Sequence, residues 1–461
     1  METRWKQFEV MYFLGVGGIG MSALARYFHQ RGVHVLGYDK TPTALTTELE
    51  LEGIVITYDD SVLSIPELLH VTPKEKVLIV RTPAVPSTSN QWNYFIEKEY
   101  LIWKRSELLG YITEFDRTIA VGGTHGKTTT SSIVAHLLHH SVGCNAFLGG
   151  IANNFKSNVV LSQSDITVVE ADEFDRSFLT LSPTIAVLTS LDADHLDIYG
   201  HADSVREGFL LFLGKTKSAG HVVVRKELQI ENEIQTEAKV WTYSAKENAD
   251  FYASDIRIVN GKFNFNLHTP FGQLTGLNSG LPGRHNVENA VAAIAAALLS
   301  GMKIEDVAEL VESYTGVLRR FDMRFKSEEL VYIDDYAHHP TELNAAIQAA
   351  RELNPNRKIT VIFQPHLFSR TRDFADEFAV SLAQADELIL LPIYPARELP
   401  IPGIDSQWLF DKIKLEDKIL VDKDAIFTYL NRESLQVLMT LGAGDIDTLV
   451  SPISNWLESE K

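Results

Sequence analysis

A glycine-rich turn between an apolar run and a helical pattern constrains the fold of this chain more than any other feature. Residues 118–121 form an apolar run, residues 122–130 read Gly-Gly-Thr-His-Gly-Lys-Thr-Thr-Thr, and apolar side chains recur at helical spacing over 131–138. The turn therefore connects a strand to a helix. Its backbone N–H groups and the helix N-terminus favour a phosphate, while Lys127 and Thr128 supply a charge and a Mg²⁺ ligand. The stretch predicts a site for a nucleoside triphosphate.

This loop differs from the usual P-loop pattern. Val121 stands where the first glycine is expected, so the loop is one residue short. The alternative is a glycine-rich turn that binds nothing, but such a polar run has no role in a core.

Length and composition limit the class of protein. A chain of 461 residues is long enough for about three domains. It has no apolar run long enough to span a membrane and no signal-peptide pattern at its start. The net charge of −19 disfavours nucleic acid as a partner. Its one cysteine, Cys144, excludes an internal disulfide, so we expect a cytoplasmic protein.

A second glycine turn lies near the N-terminus. Strand-like runs at 10–14 and 34–38 flank a helical pattern, and the turn after the first run contains Gly15, Gly17, Gly18 and Gly20. With Asp39 near the position of a ribose-binding acid, this pattern alone would indicate an NAD-dependent oxidoreductase. A helix N-terminus above such a turn can hold any diphosphate, including that of a UDP-sugar.

The chain resembles the Mur ligase family, which builds the peptide stem of the bacterial cell-wall precursor. The resemblance rests on Gly-Thr-His-Gly-Lys-Thr in the first turn, on Asp-Asp-Tyr-Ala-His-His-Pro-Thr-Glu at 334–342, and on Phe-Gln-Pro-His and Ser-Arg-Thr-Arg-Asp between 363 and 373. It implies an α/β fold of three domains: a Rossmann-like UDP-sugar domain at 1–114, a P-loop ATPase-like domain with an antiparallel flap at 115–320, and a Rossmann-like amino-acid domain at 321–461. The Asn260-Gly261 pair between alternating runs independently predicts a hairpin in that flap.

The resemblance also implies the residues of an ATP site. These are Gly123, Thr124, His125, Gly126, Lys127, Thr128, Thr129, Asn286, Asn289, Arg320 and Asp335. Asn286 and Asn289 share a helix face that would meet the adenine, although an asparagine in a first helical turn can also act as a cap. Glu170 ends an apolar strand, as do acids that hold Mg²⁺ beside a P-loop. The resemblance adds His195 to Thr128 and Glu170 as a metal ligand.

The implied reaction uses ATP and Mg²⁺ to join L-alanine to the lactyl carboxylate of UDP-N-acetylmuramate through an acyl phosphate. The helix at 204–213 lacks the lysine that several peptide-extending members carbamoylate, which agrees with the member that adds the first residue. The UDP-sugar would bind at Gly15, Gly17, Gly18, Gly20 and Asp39. Catalysis would rest on Lys127, Glu170, His195, Arg320 and Asp335.

The C-terminal motifs imply an amino-acid site made of Tyr336, His338, His366 and Arg370. Arg370 suits the carboxylate of alanine because its fork can donate two parallel hydrogen bonds. Arg372 and Arg397 are the next candidates, and His338, His339 and His366 are candidates for a general base. The alternatives are a recycling ligase that joins a tripeptide to the same UDP-sugar, an NAD-dependent oxidoreductase, and a nucleotide sensor without turnover.

Overall fold

The computed structural model describes residues 7–82, 84–192, 202–396 and 398–459. Two of the predicted residues, His195 and Arg397, lie outside the described residues. The chain divides into two compact units, Met1–Tyr243 with Ala292–Ile304 and Ser244–Val291 with Glu305–Lys461.

The first sheet of unit 1 is parallel throughout, and its strands lie in the order β3-β2-β1-β4-β5. The strands are β1 Val10–Leu14, β2 His34–Tyr38, β3 Val55–Thr57, β4 Val77–Arg81 and β5 Leu101–Lys104. Helices α1 Ile19–His29, α2 Ala44–Leu51, α3 Glu67–Val71, α4 Asn90–Glu97 and α5 Arg105–Phe115 connect them. All five residues of β1 are buried, as expected for a central parallel strand covered on both faces. The order reverses between β1 and β4, and ligands of open parallel sheets bind at such a point.

The second sheet of unit 1 has the order β12-β11-β10-β6-β9-β7-β8 and is parallel except for the β7–β8 pair. Its strands are β6 Arg117–Gly122, β7 Asn145–Ala152, β8 Ser157–Val160, β9 Ile166–Glu170, β10 Ile185–Leu188, β11 His221–Arg225 and β12 Lys239–Ser244. Helices α6 Lys127–His139 and α7 Ala202–Gly214 accompany it.

In unit 2, an antiparallel meander is formed by β13 Phe251–Val259, β14 Lys262–Thr269 and β15 Gly272–Asn278. Asn260 and Gly261 both have positive φ, 52° and 74°, which confirms the predicted tight hairpin. Helix α8 Arg284–Leu299 begins in unit 2, and its residues from Ala292 onward belong to unit 1; α9 Val307–Glu312 lies in unit 2.

The remaining sheet of unit 2 has the order β16-β17-β21-β18-β19-β20, with only β16 antiparallel to its neighbour. Its strands are β16 Asp322–Lys326, β17 Val331–Asp335, β18 Ile359–Phe363, β19 Glu387–Leu390, β20 Lys418–Leu420 and β21 Val437–Leu441. Its helices are α10 Pro340–Leu353, α11 Phe368–Asp373, α12 Ala375–Leu382, α13 Ser406–Lys412, α14 Ile426–Tyr429 and α15 Val450–Ser459. Apolar clusters cover both faces of this sheet. The α/β fold class is confirmed, whereas the three-domain boundaries stay a prediction.

Candidate functional site

The predicted nucleotide loop joins the end of β6 to the start of α6. Gly126 is the residue before the helix and has φ of 81°. Gly123 has φ of 132°, and a Cβ there would lie 2.1 Å from Thr189 Oγ1. Both positions therefore require glycine, one for the backbone conformation and the other also for the close approach of a neighbouring loop.

That neighbouring loop follows β10 and supports the nucleotide loop with hydroxyl groups. Thr189 Oγ1 donates to Gly122 O at 3.1 Å, and Ser190 Oγ accepts from the His125 N–H at 2.7 Å. The His125 ring lies 3.3 Å from the Asp192 carboxylate. Thr189 and Ser190 were not predicted from the sequence, because their role depends on β10 lying beside β6.

The Lys127 ammonium is held in place by the Glu173 carboxylate and by two carbonyl groups of the loop, those of Gly123 and Thr124. Its Nζ donates to Gly123 O at 2.6 Å and to Glu173 Oε1 at 3.0 Å, and lies 2.8 Å from Glu173 Oε2. The Glu173 side chain is only 1% exposed. Burial opposes the charge on Lys127, but the attraction of Glu173 and Glu170 outweighs it and raises the pKa of the ammonium. Burial also raises the pKa of Glu173. Because the two groups are in direct contact, we take the pair as ionised.

Glu170 lies at the C-terminus of β9, as predicted, and its carboxylate is oriented from two sides. Thr128 Oγ1 donates to Oε1 at 2.9 Å, and the Gly149 N–H donates to Oε2 at 3.0 Å. The structure thus places the predicted ligands Thr128 and Glu170 next to each other. A hydroxyl and a carboxylate are oxygen ligands of the kind that Mg²⁺ prefers, so this pair fits part of a Mg²⁺ site. No group of three or more His, Cys, Asp or Glu side chains suited to a metal occurs among the described residues.

One cavity of about 380 Å³ connects Glu170 with the N-terminal glycine turn. Its walls include Gly18, Gly20, Thr82 and Arg105 from the first sheet and its helices. The glycine turn and Glu170 therefore open into the same space. A larger open depression of about 640 Å³ lies around Asp59, Asp60 and Glu97, whose charges disfavour an anionic ligand.

The Asp39 side chain holds the glycine turn by a hydrogen bond to its backbone. Asp39 Oδ2 accepts from the Gly17 N–H at 2.7 Å, and Oδ1 accepts from the Thr41 N–H at 3.2 Å. Gly15 has φ of 83°, and a Cβ there would lie 2.8 Å from the Thr82 methyl group. The structure therefore gives Asp39 a structural role in the turn, and its contact with a ribose stays a prediction.

In unit 2, Asn286 and Asn289 lie on one face near the start of α8. The Asn289 amide donates to Asn286 Oδ1 at 3.3 Å, and the Asn286 amide donates to Pro282 O at 2.6 Å. Neither is the residue before the helix, which begins at Arg284. Their contact with adenine stays a prediction.

Two successive arginines after α9 have different environments. Arg319 donates to Asp334 Oδ2 at 3.2 Å and to Gly442 O at 2.7 Å, which fixes it to the last sheet. The Arg320 guanidinium carbon lies 4.9 Å from the centre of the Tyr336 ring, over its face. Because none of the described carboxylates forms an ion pair with Arg320, it is better suited than Arg319 to bind a phosphate.

Asp335 fixes the backbone beside these arginines. Its Oδ2 accepts from the Phe321 N–H at 2.6 Å and its Oδ1 from the Ala337 N–H at 2.7 Å. Phe321 has φ of 46° and Arg319 has φ of 62°, conformations that cost roughly 1 kcal/mol or more each. Burial raises the pKa of Asp335 to about 7, against the opposing charge of Arg320.

The structure brings the four predicted amino-acid residues together. The Tyr336 and His338 ring centres are 5.3 Å apart, those of His338 and His366 are 6.1 Å apart, and Arg370 donates to His366 Nδ1 at 3.3 Å. Arg370 is buried. Tyr394 stacks on His366 at 5.8 Å, and sequence analysis did not identify it.

Two further candidates from the sequence have structural contacts instead. His339 is the residue before α10, and its Nδ1 accepts from the Thr341 N–H at 3.3 Å. Arg372 pairs with the adjacent Asp373 at 2.7 Å. Neither contact favours binding of an amino acid.

Comparisons with known proteins define the class. The catalytic-domain model of the Mur ligase family matches residues 10–117, the Mur ligase middle domain matches 121–297, and the Mur ligase glutamate ligase domain matches 319–449. The chain belongs to the Mur ligase family.

Particular members of that family are similar over nearly the whole chain. The UDP-N-acetylmuramate–L-alanine ligase of Flavobacterium johnsoniae is 49% identical over 452 residues, which cover 98% of each chain. The solved structure of the UDP-N-acetylmuramate–alanine ligase of Thermotoga maritima is 29% identical, with a TM-score of 0.78 over 98% of this chain and 99% of that one. A murein peptide ligase from Psychrobacter arcticus shares the fold, with a TM-score of 0.66 and 21% identity over 97% of this chain and 98% of that one. No helix among the described residues combines the length and apolar character needed to cross a membrane.

Proposed function

We propose that this chain is an ATP-dependent ligase that joins L-alanine to the lactyl carboxylate of UDP-N-acetylmuramate, and that it acts in the cytoplasm in peptidoglycan precursor synthesis. The observation that carries the proposal is the cavity that connects the glycine turn of the first sheet with Glu170 beside the nucleotide loop. A UDP-sugar with a carboxylate at its far end needs such a space. The 49% identity to a ligase with this activity supports the same substrates.

In the first step, an oxygen of the lactyl carboxylate attacks the γ-phosphorus of ATP, the bond to the β-phosphate oxygen breaks, and ADP leaves. The step brings anions together, so the protein must supply positive charge and correct placement rather than a nucleophile. Lys127 supplies positive charge, and its ammonium stays protonated despite burial because Glu173 and Glu170 raise its pKa. Glu173 and the carbonyl groups of the loop hold the ammonium in one position.

The Mg²⁺ ions would be held by Thr128 and Glu170, with His195 as a further ligand implied by the family resemblance. When bound, Mg²⁺ would neutralise charge on the phosphates. Gly149 and Thr128 orient the Glu170 carboxylate, so the ligand geometry is set by the chain itself.

In the second step, the amine of L-alanine attacks the acyl carbon, and phosphate leaves as the amide forms. Arg370 binds the alanine carboxylate, which keeps the amine available. Arg320 and Asp335 bind ATP in this proposal, and Asn286 and Asn289 bind its adenine. His338 and His366 remain candidates for the base that deprotonates the ammonium of alanine.

The test is phosphate release from ATP with UDP-N-acetylmuramate and single amino acids, with each substrate omitted in turn. We expect release that requires all three substrates and is fastest with L-alanine. Turnover with the tripeptide L-alanyl-γ-D-glutamyl-diaminopimelate instead of L-alanine would favour the recycling ligase. ATP hydrolysis independent of the sugar nucleotide would contradict both.

A further inference from the structure

Arg105 lies at the same edge of the first sheet as the glycine turn. It is the first residue of α5, directly after β5. Since β1, β4 and β5 are adjacent and parallel, their C-terminal ends carry the glycine turn, Thr82 and Arg105 side by side. All three contribute to the wall of the 380 Å³ cavity.

The guanidinium group of Arg105 lies against the start of α1. A Cβ on Gly20 would be 3.2 Å from both Cδ and Nη1 of Arg105. Glycine at position 20 therefore leaves room for the guanidinium beside the helix. A side chain at this position would push the guanidinium away from the helix N-terminus.

Arg105 differs from other arginines of unit 1 in its partners. Arg26 and Arg117 each pair with a carboxylate at 3.0 Å, and Arg206 pairs with one at 2.5 Å. Arg105 is partly buried, and no described carboxylate forms an ion pair with it. Among the described residues that line the cavity, it is the only cation, whereas Glu170 and Asp172 are anions.

The charge balance of the turn makes this cation necessary for a diphosphate. A helix N-terminus contributes about half a positive charge, and a diphosphate diester carries two negative charges. Asp39 adds a negative charge and already occupies the Gly17 N–H at 2.7 Å. A planar guanidinium can donate to oxygens of both phosphates at once.

We infer that Arg105 binds the diphosphate of the sugar nucleotide and is the main source of positive charge in that part of the site. The inference rests on the proposed function for the identity of the ligand. It adds the first residue of α5 to the glycine turn, and it makes Gly20 the position that allows the guanidinium to approach.

The test compares wild type, Arg105→Gln and Arg105→Lys by calorimetry with UMP, UDP and UDP-N-acetylmuramate. Wild type should bind UDP more tightly than UMP. We expect Arg105→Gln to weaken UDP and UDP-N-acetylmuramate by about 30-fold or more and to remove most of the advantage of UDP over UMP. Arg105→Lys should recover part of it, since the charge remains but the fork is lost.

The matched control is Lys104→Gln, which removes the same charge from the adjacent exposed residue and should bind as wild type. ADP affinity should be equal in wild type and Arg105→Gln, because ADP would use the Lys127 loop.

Three results would each overturn the inference: unchanged UDP affinity in Arg105→Gln, equal losses of UMP and UDP affinity, or loss of ADP affinity instead of UDP affinity. If thermal unfolding shows that Arg105→Gln does not fold, the ratio of UDP affinity to UMP affinity is measured in Arg105→Lys instead. Wild type that binds no UDP compound would refute the proposed function itself.

Discussion

Replacement of Gly149 by alanine should damage the proposed Mg²⁺ site while leaving the fold intact. The new Cβ would lie 2.2 Å from Glu170 Oε2, whereas ordinary contact begins at 3.4 Å. Oε2 must therefore retreat by about 1.2 Å, which would disturb its 3.0 Å hydrogen bond from the Gly149 N–H. Because the carboxylate moves as one group, the 2.9 Å hydrogen bond from Thr128 Oγ1 to Oε1 would be disturbed as well. Metal–ligand distances tolerate only about 0.2 Å, and a misplacement of about 1 Å can reduce catalysis roughly 100-fold.

The stability of the fold should respond much less. Gly149 is exposed, and the atom that must move is the end of a flexible side chain. We expect the free energy of unfolding to change by less than about 1 kcal/mol. A Mg²⁺ titration of phosphate release, with thermal unfolding of the same samples, separates the two effects. The Mg²⁺ concentration for half-maximal activity should rise about 10- to 100-fold.

Glu170→Asp provides the matched comparison because its shorter side chain already withdraws the carboxylate from Gly149. If the clash is the cause, the losses in Gly149→Ala and Glu170→Asp should be strongly non-additive in the double variant. Wild-type Mg²⁺ dependence in Gly149→Ala would refute the reasoning. Fully additive losses would show that Gly149 acts through some other contact.

Three further outcomes follow from the same contacts. Lys127→Ala should abolish turnover and lower thermal stability, because it leaves Glu173 buried without its cation, yet calorimetry should show UDP-sugar affinity almost unchanged. Arg370→Lys should raise the KM for L-alanine strongly while those for ATP and the sugar nucleotide change little, and Arg372→Lys serves as the control in the same steady-state assay. Asp335 holds its proton more tightly in the folded protein, with a pKa of about 7. Stability should therefore fall as pH rises from about 4 to 7, by up to about 4 kcal/mol, and denaturant unfolding of Asp335→Asn should lack this loss.

Much of the fold could be predicted from the sequence because its units are local. An apolar run of about five residues, a glycine or polar turn and a helical pattern define each βα unit without reference to the rest of the chain. The Asn260-Gly261 hairpin was predictable for the same reason. The strands at Asn145–Ala152 and Ser157–Val160 were missed, since the first contains Gly149 and Gly150 and reads as a turn. The Glu170 contact explains why glycine occupies position 149 of this strand.

The parts of the site that sequence analysis missed are those that depend on contacts between distant segments. Glu173 follows Glu170 by three residues, and the pattern drew attention to the acid at the strand end. Only the structure shows that Glu173 reaches the Lys127 ammonium. Thr189 and Ser190 were likewise invisible as supports of the nucleotide loop, because that role depends on β10 lying beside β6.

A sequence motif does not distinguish the roles of adjacent residues of the same type, and the Asp334–Asp335 pair shows why. Successive residues of a strand point to opposite faces of the sheet, so the two carboxylates have different surroundings. Asp334 is fully buried, accepts from Thr440 Oγ1 at 2.7 Å and pairs with Arg319, which fixes it in a structural network. Asp335 ends the strand and holds the backbone of Phe321 beside Arg320. Arg319 and Arg320 precede β16 and lie over the same Tyr336 ring, at 5.2 and 4.9 Å, but only Arg319 is paired with Asp334. A motif written as two aspartates and two arginines therefore contains a paired Asp334 and Arg319, a backbone-holding Asp335, and Arg320, with which no described carboxylate forms an ion pair.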